Sequence, residues 1–180
     1  MKAPNFKTCN EEELWKYIAF HLVKNGIESV LVGGAVVAIY SKGAYQSGDL
    51  DLITESKWLK PAEEVLTGLG FKKVRGRHFE HDECKHLIIE FPPGPISIGD
   101  DYKIEPSEIK VEGQSLKLFS PTDCIRDRLA SYIHFKSRDA LEQAVLVAKT
   151  QPFDLNKVKA WCTKEGADSQ FKEFAKAIKS

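Results

Sequence analysis

Two aspartates at alternate positions, Asp49 and Asp51, stand in the run Ser47-Gly48-Asp49-Leu50-Asp51-Leu52, and a glycine pair, Gly33-Gly34, follows the apolar run Leu31-Val32 upstream of it. On a strand, side chains at i and i+2 leave the same face. Two carboxylates held that close repel each other, and a cation between them removes the penalty. Carboxylate oxygens are hard ligands that suit Mg2+. The Gly-Gly step lets backbone approach a ligand closely, as a phosphate-binding turn must. Together these residues offer the chemistry of a magnesium-nucleotide site. A third acid, Glu90, stands in the otherwise apolar run Leu87-Ile88-Ile89-Glu90-Phe91, where an unpartnered carboxylate is costly. Either it has a partner or it turns to water from an edge strand.

Those groups need elements to hold them. Ser29-Val30-Leu31-Val32 reads as a short buried strand emptying into Gly33-Gly34, and the small apolar run Ala35 to Tyr40 as a helix packed closely on a sheet. Leu50 to Ile53 is the strand of the acids. Asn10-Glu11-Glu12-Glu13 predicts a capped helix start, with Glu13 at the capping-box position and a stop at Gly26. A further helix is expected from Pro61, strands over Phe71 to Val74 and His86 to Phe91, and a hairpin turning at Glu112-Gly113-Gln114. From Ser120-Pro121, an N-cap followed by proline at N1, helical periodicity takes over. The expected fold class is α/β (or α+β): a small mixed β-sheet with flanking helices over residues 1–119, then a helical region over 120–180 packed on it.

Gly33-Gly34 together with Ser47-Gly48-Asp49-Leu50-Asp51-Leu52 resembles the signature of the nucleotidyltransferase superfamily, the DNA polymerase β-like fold. The resemblance implies that Gly33, Gly34 and Ser47 contact the triphosphate of an NTP, that Asp49 and Asp51 hold two Mg2+ ions, and that Glu90 is the third metal ligand or the base that takes the proton of the attacking hydroxyl. A looser resemblance covers Leu118 to Asp123, Arg126-Asp127-Arg128-Leu129 and Arg138-Asp139, which are similar to the abortive-infection and toxin-type nucleotidyltransferases. It implies that Arg128, standing where those relatives carry lysine, clamps phosphate as a fork, and that Asp139 orients Arg128 or another part of the site. It also implies transfer of a nucleoside monophosphate to a hydroxyl of a tRNA end or a protein side chain, with a cognate antitoxin protein as partner. A small-molecule acceptor, as in antibiotic-modifying relatives, stays open, as does a catalytically silent protein that binds nucleotide or a partner.

Composition sets outer bounds. The 180 residues carry 26 Lys plus Arg against 26 Asp plus Glu, a balance that argues against a protein devoted to non-specific nucleic-acid binding. No apolar run reaches membrane-spanning length and the start lacks a signal core, so the cytoplasm is the expected location. Cys9, Cys84, Cys124 and Cys162 are scattered without CxxC spacing and read as free thiols. The stretch His78 to His86 is rich in metal ligands, but zinc needs three or four that converge, and a polar hairpin between two strands accounts for it. Lys72, Lys73, Arg75 and Arg77 read as a charged strand face, and Arg126, Arg128 and Arg138, where they do not bind phosphate, as a solvated helix face. No G-x-G-x-x-G, P-loop or nucleophile elbow is present.

Overall fold

A computed structural model describes all 180 residues. Seven strands form one mixed sheet: β1 (Val30–Val32), β2 (Asp49–Ile53), β3 (Phe71–Arg75), β4 (His78–His81), β5 (Cys84–Glu90), β6 (Ser107–Val111) and β7 (Gln114–Leu118), in the spatial order β3-β4-β5-β2-β1-β7-β6. β2 runs antiparallel to β1 and parallel to β5, and β1 runs parallel to β7; the outer ribbons β3-β4-β5 and β6-β7 are antiparallel. The helices are α1 (Glu11–Lys24), α2 (Gly34–Tyr40), α3 (Leu59–Gly68), α4 (Pro121–Phe135), α5 (Arg138–Thr150), α6 (Leu155–Lys164) and α7 (Asp168–Ala177).

Local chemistry explains the boundaries. Asn10 accepts the Glu13 backbone N–H and Glu13 reaches back to the Asn10 N–H, closing the box at the start of α1. Ser120 accepts the Asp123 N–H at the head of α4, where Pro121 occupies N1. α3 starts at Leu59, two residues before the expected Pro61, because proline needs no donor partner within a first turn. The central strands alternate: Leu50 and Leu52 are fully buried, which turns Asp49, Asp51 and Ile53 to the other face. One hydrophobic core takes in Leu14 and Ile18 of α1, Leu31, Leu50 and Ile89 of the sheet, and Ile125, Val147 and Phe174 of the C-terminal helices, so it crosses Ser120 without a break. No helix is long and apolar enough to cross a membrane.

Two expectations are corrected. His78 to His81 is itself strand β4, and only Asp82 and Glu83 turn the chain into β5, which begins at Cys84. Alternation accounts for it: Phe79 enters the core while its polar neighbours line the outer ribbon. Arg126 is not on a solvated face. It is 1% exposed, donates to Asp123 Oδ1 at 2.8 Å and to Asp101, and lies over the Trp161 ring, tying α4 to α6 and to the loop at Asp101. All four cysteines are free and buried.

Candidate active site

β2 and β5 bring the three acids together. Their parallel register sets Asp49 beside Ile88 and Asp51 beside Glu90, so Asp49, Asp51 and Glu90 share one face of the sheet. Asp49 is exposed; Asp51 and Glu90 are half-buried. Burial first, and then the charges of Asp49 and Glu90, push the Asp51 carboxyl up to about 7, with Arg128 opposing them. An ionised Asp51 is therefore under-compensated by this chain's own groups. Three oxygen-donor carboxylates with a deficit of positive charge fit a divalent cation such as Mg2+.

Gly33 begins the turn out of β1 with φ 73°, a conformation that favours glycine, and a Cβ built there would lie 2.3 Å from Asp51 Oδ2. The turn and the acid pair are thus in direct apposition. A Cβ on Gly34 would meet Ser47 Oγ at 2.8 Å, so the second glycine also makes room for a site residue. Ser47 Oγ donates to Asp49 Oδ1 at 2.8 Å, and the Ser47 backbone N–H donates to Glu11 Oε1 at 2.6 Å. Ser47 sits between α1 and the first acid and fixes the carboxylate of Asp49.

Arg128, on α4, lies within electrostatic reach of Asp51. Its Nε donates to Asp127 Oδ2 at 3.0 Å and its Nη1 to Gln143 Oε1 at 3.3 Å. Burial depresses its guanidinium, but Asp127 together with Cys124 and Asp51 offsets that and leaves it raised. Asp139 is exposed in the first turn of α5 and is not among these partners; the orienting groups for Arg128 are Asp127 and Gln143. Asp139 acts instead on Tyr45, whose hydroxyl is raised by burial and further by Asp49, Glu11 and Asp139 against the pull of Arg128. Glu90 Oε2 lies 2.9 Å from His78 Nε2, across the β4–β5 ladder.

Glu11, Tyr45, His78, Asp127 and Gln143 join this neighbourhood without having stood out as site residues. In the sequence Glu11 is one of three first-turn acids; only its 7% exposure in the fold shows that it needs a partner beyond its own helix. The others arrive through strand pairing and helix packing, which leave no local mark. A cavity of about 460 Å³ lies at the other end of β2, but its lining includes Ser29, Thr54 and Pro95 and no basic side chain to meet a phosphate.

No family model matches the chain, and no curated protein matches it. Solved structures do share its fold. An antigenic nucleotidyltransferase-like protein from Paracoccidioides brasiliensis superposes with a TM-score of 0.61 over 94% of this chain and 92% of that one, at 15% identity. The antibiotic-resistance factor ANT(2'')-Ia gives 0.60 over 89% and 93%, at 12% identity. The lincosamide antibiotic adenylyltransferase LnuA, solved with lincomycin bound, gives 0.53 over 79% and 98%, at 16% identity. At these identities the likeness is one of fold alone, shared with these three proteins.

Proposed function

We propose that this chain is a nucleotidyltransferase that moves a nucleoside monophosphate from an NTP to an acceptor hydroxyl. The reading rests on one observation: Asp49, Asp51 and Glu90 share a sheet face directly against the positive-φ glycine turn. Asp49 and Asp51 would hold two Mg2+ ions, which supply charge stabilisation at the entering and leaving oxygens. Gly33 and Gly34 offer backbone N–H groups to the triphosphate, Ser47 keeps Asp49 aimed, and Arg128 adds a fixed guanidinium beside it. Glu90, oriented by His78, accepts the acceptor's hydroxyl proton as the new O–P bond forms. The bond from the α-phosphorus to the bridging oxygen breaks, and pyrophosphate leaves.

A small hydroxylated acceptor is favoured over RNA. Formal charge is zero, and within the basic run Lys72 and Lys73 are engaged by Asp82 and Glu63. Two of the proteins that share the fold are named for antibiotics. The toxin-type reading, with a tRNA end or protein side chain as acceptor, an antitoxin partner and a cytoplasmic setting, makes the opposite forecast. Incubating the protein with each radiolabelled NTP and Mg2+, and separately with aminoglycosides and lincosamides, total tRNA or total protein, separates them. Pyrophosphate release with a labelled small molecule, lost in Asp51→Asn, is expected. Label in tRNA or protein would transfer the proposal to that acceptor. Mg2+-dependent NTP binding with no pyrophosphate from any pool would make the chain a silent nucleotide binder.

A further inference from the structure

The fold gathers a second group of metal-ligating side chains away from the acid face. Cys9, just ahead of α1, and Cys84, at the start of β5, are 2% and 1% exposed, with their Sγ atoms 4.0 Å apart. His86 is exposed on the same strand at i+2 from Cys84, and its Nε2–H donates to the Cys9 carbonyl at 2.8 Å. One ligand atom from each of the three lies within 4.8 Å of the others. We propose that Cys9, Cys84 and His86 form a zinc site that clamps the N-terminal segment onto β5.

The distances favour a metal over a disulfide. Two thiolates on one tetrahedral zinc, each at about 2.3 Å, stand about 3.8 Å apart. The observed 4.0 Å lies close to that, whereas a disulfide at about 2.05 Å requires the two sulfurs to close by about 2 Å. The histidine is set up in the same sense. A carbonyl only accepts, so Nε2 carries the proton in that hydrogen bond and the lone pair is on Nδ1. Two thiolates and an imidazole select zinc over Mg2+, which prefers the oxygen-only set of the three acids. A water completes four-coordination where the protein supplies three ligands.

Packing holds the ligands in place independently of any metal. Phe6 stacks on His81 at 4.0 Å and meets Phe71 and Tyr17 edge-on, and the Cys9 N–H donates to Asn5 O at 2.8 Å. His86 and Glu90 are four residues apart on β5, roughly 13 Å at strand rise, so the zinc site is separate from the acid site. Its effect there is indirect. It fixes the segment leading into Glu11, whose carboxylate holds the Ser47 N–H.

The test uses the full chain, reduced, stripped with a chelator and titrated with Co2+ and then Zn2+. One equivalent of Co2+ should bind with tetrahedral visible bands and near-ultraviolet thiolate charge transfer, and Zn2+ should displace it and raise the melting temperature. Cys9→Ser and Cys84→Ser should lose the charge-transfer band. Exposed His86 can be removed without emptying the core, and His86→Ala should weaken binding at least about tenfold. Asp49→Asn with Asp51→Asn should keep the band, which separates this site from the nucleotide proposal. Six-coordinate Co2+ without a thiolate band, a band that survives Cys9→Ser with Cys84→Ser, or unchanged affinity in His86→Ala would each overturn the assignment.

Discussion

Replacing Asp51 by asparagine should make the metal-free protein more stable while abolishing its response to Mg2+. Asp51 is raised from 3.8 to about 7 by burial and by Asp49 and Glu90. A carboxyl raised on folding binds a proton in the native state that the unfolded chain has already lost, so stability falls as pH rises from about 4 to about 7 and stays low above that. At 1.36 kcal/mol per pH unit the gap amounts to roughly 4 kcal/mol. Asp51 is only half-buried, the asparagine amide must still be desolvated, and Arg128 loses an opposite charge, so a net gain of about 1–2 kcal/mol is the reasonable figure. For a chain of this size that is about 2–8 °C in melting temperature. With chelator at pH 8 the variant should melt above wild type; at pH 4 the two should converge. Saturating Mg2+ should reverse the order at pH 8, since a ligand at about 100 times its Kd adds about 2.7 kcal/mol to the form that binds it. Thermal melts of both proteins at the two pH values, with chelator and with Mg2+, decide the matter. A variant less stable than wild type at pH 8 without metal, or a gain equally large at pH 4, would refute the account of Asp51 as a repelled carboxylate.

Gly33→Ala forces a Cβ to within 2.3 Å of Asp51 Oδ2 at φ 73°; it should destabilise by about 1–3 kcal/mol and lower nucleotidyl transfer at least about 100-fold, read by melting and pyrophosphate release. Glu11→Ala leaves the Ser47 N–H without its acceptor and should lose about 1–3 kcal/mol in urea denaturation, whereas Glu11→Gln keeps an acceptor oxygen and should recover most of it. Arg126→Met removes the buried partner of Asp123, which keeps only the Ser120 hydroxyl and the Lys157 ammonium at 3.7 Å, and should lose about 2–4 kcal/mol by the same assay.

The acids were legible because their signal is local. Asp49, Leu50, Asp51 and Leu52 alternate within one short strand, and Glu90 interrupts an apolar one. Ser120-Pro121 and Asn10 to Glu13 likewise state their caps in adjacent residues. Long-range partners were not legible. His78 belongs to Glu90 only through the β4–β5 register, and Gln143 reaches Arg128 only because α5 packs on α4. Arg126 looked like a surface charge since nothing near it in the chain announces Asp101, 25 residues earlier, or Trp161. Strand β4 leaves no alternating pattern because polar residues surround its one apolar anchor, Phe79.

The alternation that builds the core also aims the acids. Leu87, Ile89 and Phe91 of β5 and its extension are buried, as are Leu50 and Leu52 of β2. Slipping β5 by one residue against β2 would put Ile89 beside Asp51 and turn the apolar set toward the acid face, a change the core would resist across several side chains. The register that aligns Glu90 with Asp51 is therefore fixed by hydrophobic burial rather than by the acids, which repel one another. Further elements then set the carboxylates: α1 through Glu11 and Ser47, β4 through His78, and α4 through Arg128. Since Arg128 lies beyond Ser120, the guanidinium that opposes the rise of Asp51 comes from the helical region. Removing that guanidinium would push Asp51 further toward its protonated form.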